Sequence, residues 1–147
     1  MPTLPEQVAD ADKRRKVIDD ACTVLDEEVA SKGGLTGIAI KGAYKVVQGV
    51  KPGFVREAVD GLLDDFLTAI DPIYQEAVEK KRPVGSYIND NAARVADALL
   101  AVTDRKAERA KRAVIKSAYE KLRPMAKKQV EAACPRVGAL VERHAAA

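Results

Sequence analysis

One histidine, two cysteines and no tryptophan leave this chain little of the side-chain chemistry that marks metal and nucleophilic sites. Zinc needs four nitrogen or sulfur ligands, and Cys22, Cys134 and His144 are the only ones present. A di-iron site in a helical bundle needs a Glu-x-x-His pair on two helices, which a single histidine cannot provide. His144 falls in the Arg-His-Ala-Ala-Ala stretch, where fraying is expected, so a His-dependent triad is not expected either. Ser31, Ser86 and Ser117 have no nucleophile-elbow context. No catalytic residue, metal or cofactor is therefore assigned. Cys22 and Cys134 each sit among small and apolar residues and read as reduced core thiols, although spacing alone leaves a disulfide open.

Other absences narrow the class. No apolar run is long enough to span a bilayer as a helix. The opening Met-Pro-Thr-Leu-Pro-Glu lacks an apolar signal core, so a cytoplasmic protein is expected. Aromatic residues make up only 4%, and Tyr44, Tyr74, Tyr87 and Tyr119 are spaced as core edges rather than as a base-stacking platform. Against these absences stands a hydrophobic content of 47%, too high for a disordered chain. At 147 residues, one domain spanning 1–147 can bury about 70% of its unfolded surface.

The residues present are strong helix formers, with proline confined to apparent junctions. Thr3-Leu4-Pro5-Glu6 reads as a capping box, opening a helix to about Ala30 that Lys32-Gly33-Gly34 stops. The next helix, Leu35 to Val50, is apolar over more than half its circumference, with Lys41, Lys45 and Gln48 in the remaining sector. That breadth predicts the central, most buried helix, with Ile38, Val46 and Val47 in the core. Gly37, Gly42 and Gly49 cost about 1 kcal/mol each within a helix and suggest close approach of a neighbour. Pro52 and the Asp71-Pro72 pair predict two further helix starts, and Arg82 to Gly85 a turn, with Ser86 or Asn89 as the next cap. Whether Thr103-Asp104 breaks the following helix stays open. A helix from Arg105 to about Leu122 is kinked or ended by Pro124, and Pro135 precedes the last one. The predicted fold is all-α, a single-domain bundle of about five to seven helices around the glycine-containing apolar helix.

Charge is uneven. Residues 1–104 carry 13 basic and 18 acidic side chains, whereas residues 105–147 carry 12 and 4. On one continuous helix over 105–128, Arg105, Arg109, Arg112, Lys116, Arg123 and Lys127 fall within about 60° of one another. Ala107, Ala110, Val114, Ala118, Leu122 and Met125 fall opposite. Three readings are open for this basic amphipathic helix. It is solvated or set near acidic faces such as Asp19, Asp20, Asp26, Glu27 and Glu28; it gathers the phosphates of a nucleic acid; or it meets an anionic membrane surface.

Two smaller constellations stand apart from this run. Lys32, Gly33, Gly34 and Lys41 form a candidate anion site at a helix start, although the spacing fails the phosphate-loop pattern and a glycine turn explains it too. Asp60 and Asp64 share a face one turn after Arg56, and the sequence favours a solvated acidic face over an acid–base pair. The segment KGGLTGIAIKGAYKVVQGV, residues 32–50, followed by KPGFV, resembles a segment of a family of short uncharacterised bacterial helical proteins. The resemblance reaches at most residue 71 and implies a bacterial cytoplasmic setting, with no mechanism or site residues. The functional expectation is a non-enzymatic binding protein whose basic helix contacts an anionic partner, either nucleic acid or a membrane surface. The alternative is a bundle enclosing a small apolar or acyl ligand along helix 35–50. Oligomeric state is not readable.

Overall fold

The computed structural model describes residues 2–145, and among them only helices occur as regular structure. They are α1 (Leu4–Gln7), α2 (Ala11–Ser31), α3 (Gly34–Gln48), α4 (Phe54–Glu79), α5 (Val84–Asp90), α6 (Ala92–Glu108) and α7 (Ala113–His144). The all-α expectation holds, and several boundaries move for identifiable reasons.

Thr3 does cap a helix, its hydroxyl accepting the Glu6 N–H at 3.2 Å. That helix lasts one turn, because Val8 leaves helical geometry to enter the core and Asp10 starts α2 with its own cap on the Lys13 N–H at 3.0 Å. Asp71-Pro72 starts nothing. Asp71 instead accepts the Leu4 N–H at 2.8 Å, tying α1 to α4, and α4 runs through Pro72 unbroken. Pro124 and Pro135 likewise lie inside α7. All three prolines are exposed, on the side of each helix where the carbonyl they orphan can meet water. Neither Ser86 nor Asn89 is the expected cap: both lie inside α5, which starts at Val84 within the expected turn, and α6 begins after Asn91, with Thr103 and Asp104 inside it.

The bundle is organised around α7, which packs against α2, α3, α5 and α6. Its partners descend α6 as they ascend α7: Arg123 meets Asp104, Lys127 meets Asp97, and the Cys134 thiol lies by the Ala92 carbonyl. Hence α6 and α7 form an antiparallel hairpin. The same logic makes α2 antiparallel to α7, with Arg136 on Glu28 at 2.7 Å and Arg143 on Asp20 at 2.8 Å. At the crossing of α5 and α7, Gly85 and Gly138 bring the two backbones together. The largest fully buried side chains among the described residues are Val17, Tyr74, Ile88, Val95 and Cys134, drawn from α2, α4, α5, α6 and α7.

The central position predicted for helix 35–50 is overturned. No apolar side chain of α3 joins the buried cluster, and Gly37 is its one buried residue. Leu35 is 87% exposed, Ile38 70% and Val46 42%. Leu, Ile, Val and Tyr spread around the helix, but neighbours cover only the side carrying Ile40, Tyr44 and Val47, which are half-buried. Gly37 is close-packed all the same: a methyl there would lie 2.7 Å from the Lys32 carbonyl. Gly42 has nothing within 4 Å. Cys22 and Cys134 are free thiols, half-buried and buried. His144 is not frayed, since its Nε2 lies 2.8 Å from Asp20 and closes α7 onto α2.

Candidate functional site

The basic run does not form one helix. After Glu108 the chain leaves helical geometry at Arg109, with the Arg109 and Ala110 amides making tight bonds of 3.1 Å to Lys106 and Ala107. It restarts at Ala113, with Arg112 in the N-cap position. No glycine or proline marks this break. It arises because folding α7 back along α6 buries Val102, Ala118 and Cys134, which a straight helix would leave uncovered.

The turn divides the six predicted cations. Arg123 and Lys127 face α6: Arg123 holds Asp104 at 2.9 Å, and Lys127 lies 3.1 Å from Asp97. The Arg123 guanidinium, together with the Tyr119 hydroxyl, holds the Asp104 carboxyl below its ordinary range. Burial, reinforced by Asp104, pushes the Tyr119 phenol up. These two cations serve the hairpin. Arg105, Arg109, Arg112 and Lys116 stay exposed at the α6–α7 connection, joined there by Lys106 and Lys111. The helical wheel placed those two lysines off the strip, and only the turn gathers them. Glu108 is the single acid between 105 and 116.

Arginine pairing isolates this junction. Arg14, Arg15, Arg56, Arg82, Arg94, Arg123, Arg136 and Arg143 each carry a carboxylate partner. The remaining three, Arg105, Arg109 and Arg112, have none among the described residues. Arg112 instead lies over the Phe54 ring, 6.0 Å from its centroid, which sets the junction beside the α3–α4 connection. At α7 the first turn has no acidic residue and no side-chain cap, so its amides and partial positive charge add to the same field. At the end of α6, Arg105 and Lys106 suit the negative end of the dipole.

The second candidate site is dispersed. Lys32 is half-buried at the end of α2 and ion-paired with Glu28 at 3.0 Å, while Lys41 stands exposed two turns into α3. Gly33 and Gly34 form the turn between the two helices, with Gly34 at φ +66°. Asp60 and Asp64 both hold Arg14, at 2.8 and 2.7 Å, and so fasten α4 to α2. Arg56 pairs with Asp19 rather than with either of them. A cleft of about 460 Å³ lies beside these pairs, but its cations Arg14, Arg15 and Arg56 are all matched by carboxylates. The acidic face of α2 is met by Arg56, Arg136, Arg143 and His144, not by the run 105–128.

Among the described residues, no His, Cys, Asp and Glu side chains are grouped to hold a metal ion. No described helix is long and apolar enough to cross a membrane. Comparison with known proteins shows the family: over residues 4–145 the chain matches the model of a family of unknown function, DUF6918, and it belongs to that family. No curated protein and no solved structure matches it.

Proposed function

We propose that this member of the family is a non-enzymatic binding protein that holds an anionic, phosphate-bearing partner against the α6–α7 junction. The observation that carries the reading is the arginine pattern: among the described residues, the three arginines without a carboxylate all lie between residues 105 and 112. A guanidinium left exposed and unmatched keeps its forked donors for an external oxyanion, and phosphate fits that fork in bidentate fashion. Crowding like charges on one connection is unfavourable for folding alone, so the arrangement supports a role outside the fold. Of the six contacts predicted from sequence, Arg105, Arg109, Arg112 and Lys116 are kept, Arg123 and Lys127 are given up to their ion pairs, and Lys106 and Lys111 are added. The alternative, enclosure of an apolar or acyl ligand along α3, has less support because α3 turns Leu35 and Ile38 outward.

The test is binding to a labelled nucleic-acid duplex and to anionic vesicles over a salt series. Binding should weaken steeply with salt. The variant Arg105→Gln/Arg109→Gln/Arg112→Gln/Lys116→Gln should lower the salt slope on a duplex by about one unit for each phosphate it no longer neutralises. The variant should stay folded, because exposed substitutions of this kind usually cost under about 0.5 kcal/mol. An unchanged slope, or no binding to either probe at low salt, overturns the proposal.

A further inference from the structure

We infer that the anionic partner is a lipid bilayer surface, and that the outer face of α3 seats on it beside the basic junction. The inference rests on the anionic-partner reading above and names the partner. At about 100° per residue, the exposed arc of α3 runs through Lys41, Lys45, Ile38, Gly42, Leu35 and Val46. Its large apolar members project into solvent, with Leu35 at 87% exposure and Ile38 at 70%. The helix is held from its other side, where Ile40, Tyr44 and Val47 are half-buried and the Tyr44 hydroxyl donates to Asp26. Gly34–Gln48 contains no acidic residue, and Lys41 and Lys45 carry no ion pair among the described residues.

This is the composition of a helix that lies in a membrane interface: projecting aliphatics, small residues between them, and cations along one flank. Charge decides among occupants. A second copy packed two-fold on α3 would bring two lysine rows to one seam with no carboxylate on either helix to answer them. A nucleic acid would answer the lysines and the junction arginines but leave Leu35 and Ile38 without a counterpart. An anionic bilayer answers both, taking the aliphatics at the acyl boundary and the cations among its headgroups. The Arg112–Phe54 contact sets the junction near the end of α3, so both can act on one surface. Each cation near such a surface is worth about fivefold in binding.

The experiment measures partitioning onto phosphatidylcholine vesicles with and without phosphatidylserine. It uses the whole chain, the variant Leu35→Ser/Ile38→Ser and the junction variant above. The parent should bind only the vesicles containing phosphatidylserine. Leu35→Ser/Ile38→Ser should lower that binding by about tenfold or more, with an unchanged helical circular dichroism spectrum. The junction variant should also weaken it, and sedimentation should show one mass for the parent and the serine variant. Parent-like vesicle binding by Leu35→Ser/Ile38→Ser overturns the inference and leaves the junction reading standing. So does a parent dimer that this variant dissolves, which would assign the face to a second copy. Duplex binding without vesicle binding also overturns it in favour of a nucleic acid. Loss in the serine variant with full binding by the junction variant overturns the junction reading instead.

Discussion

Two glycines chosen from opposite environments test the architecture most directly. Gly138 lies in α7 where α5 crosses it. A methyl added there would stand 2.7 Å from the Gly85 carbonyl oxygen and 3.2 Å from the Gly85 Cα, both backbone atoms that cannot rotate away. Overpacking costs about 1–3 kcal/mol, the upper part of that range (about 2–3 kcal/mol) applying where the clash is with backbone, and the better helix propensity of alanine returns about 1 kcal/mol. Gly138→Ala should therefore lose about 1–2 kcal/mol, or about 2–8 °C in Tm at about 2–4 °C per kcal/mol. Gly42 is the counterpart. It also sits inside a helix, yet an added methyl would meet nothing within 4 Å. Only the propensity gain applies, so Gly42→Ala should gain about 0.5–1 kcal/mol. Differential scanning calorimetry on both variants in one buffer reads the contrast. A Gly138→Ala protein as stable as its parent would mean that α5 and α7 do not meet there. A Gly42→Ala protein that melts earlier would mean that the outer face of α3 is covered, against the exposure on which the membrane inference rests.

Acid should destabilise the fold in a defined window. Hydrogen bonds from Arg94 and Tyr87 hold Glu76 at about 2, against an ordinary value of 4.5. A carboxyl lowered by folding stabilises fully above its unfolded value and loses that contribution as pH falls toward its folded one. Asp104 acts in the same sense, as does Asp20, where the bonds from Arg143 and His144 outweigh the opposing effect of burial. Thermal midpoints should fall between about pH 4.5 and 2, less steeply in Glu76→Gln, and a flat profile in the parent would refute this. Glu28 joins Lys32 at 3.0 Å to Arg136 at 2.7 Å. Glu28→Ala leaves those cations facing each other and should cost about 1–3 kcal/mol in denaturant unfolding; no change would mean that the triad is idle. Burial pushes the Cys134 thiol up to about 11 and raises Cys22 as well. A thiol reagent should modify half-buried Cys22 first and Cys134 only on unfolding, and equal rates would contradict the buried placement of α7.

Much of this protein was determined by its sequence alone. The helical class, the turn at Gly33-Gly34 and the span of the helix that follows it all rest on interactions within a few residues. Composition and local spacing encode such interactions directly. The concentration of basic charge after residue 104 was equally plain. Tertiary structure decided how those pieces were used. The tyrosines expected at core edges divide: Tyr74 and Tyr87 are buried, Tyr44 and Tyr119 half-buried. Helix 35–50 showed apolar residues over most of its surface, but periodicity records only which residues share a face, not how many neighbours cover it. Packing placed it outside and left Leu35 and Ile38 in solvent. Pro72, Pro124 and Pro135 read as breaks because a proline removes a hydrogen bond, yet each lies on an exposed face, where the carbonyl it orphans can be solvated. The break at Arg109 to Arg112 has no local cause at all. It exists because folding α7 back onto α6 buries apolar surface that a straight helix would expose. That one turn converts a uniform basic stripe into two inward ion pairs and an unpaired cationic junction. Whether a cation is matched depends on carboxylates distant in sequence, such as Asp20 for Arg143 and Asp60 for Arg14, and only the folded chain brings them within reach.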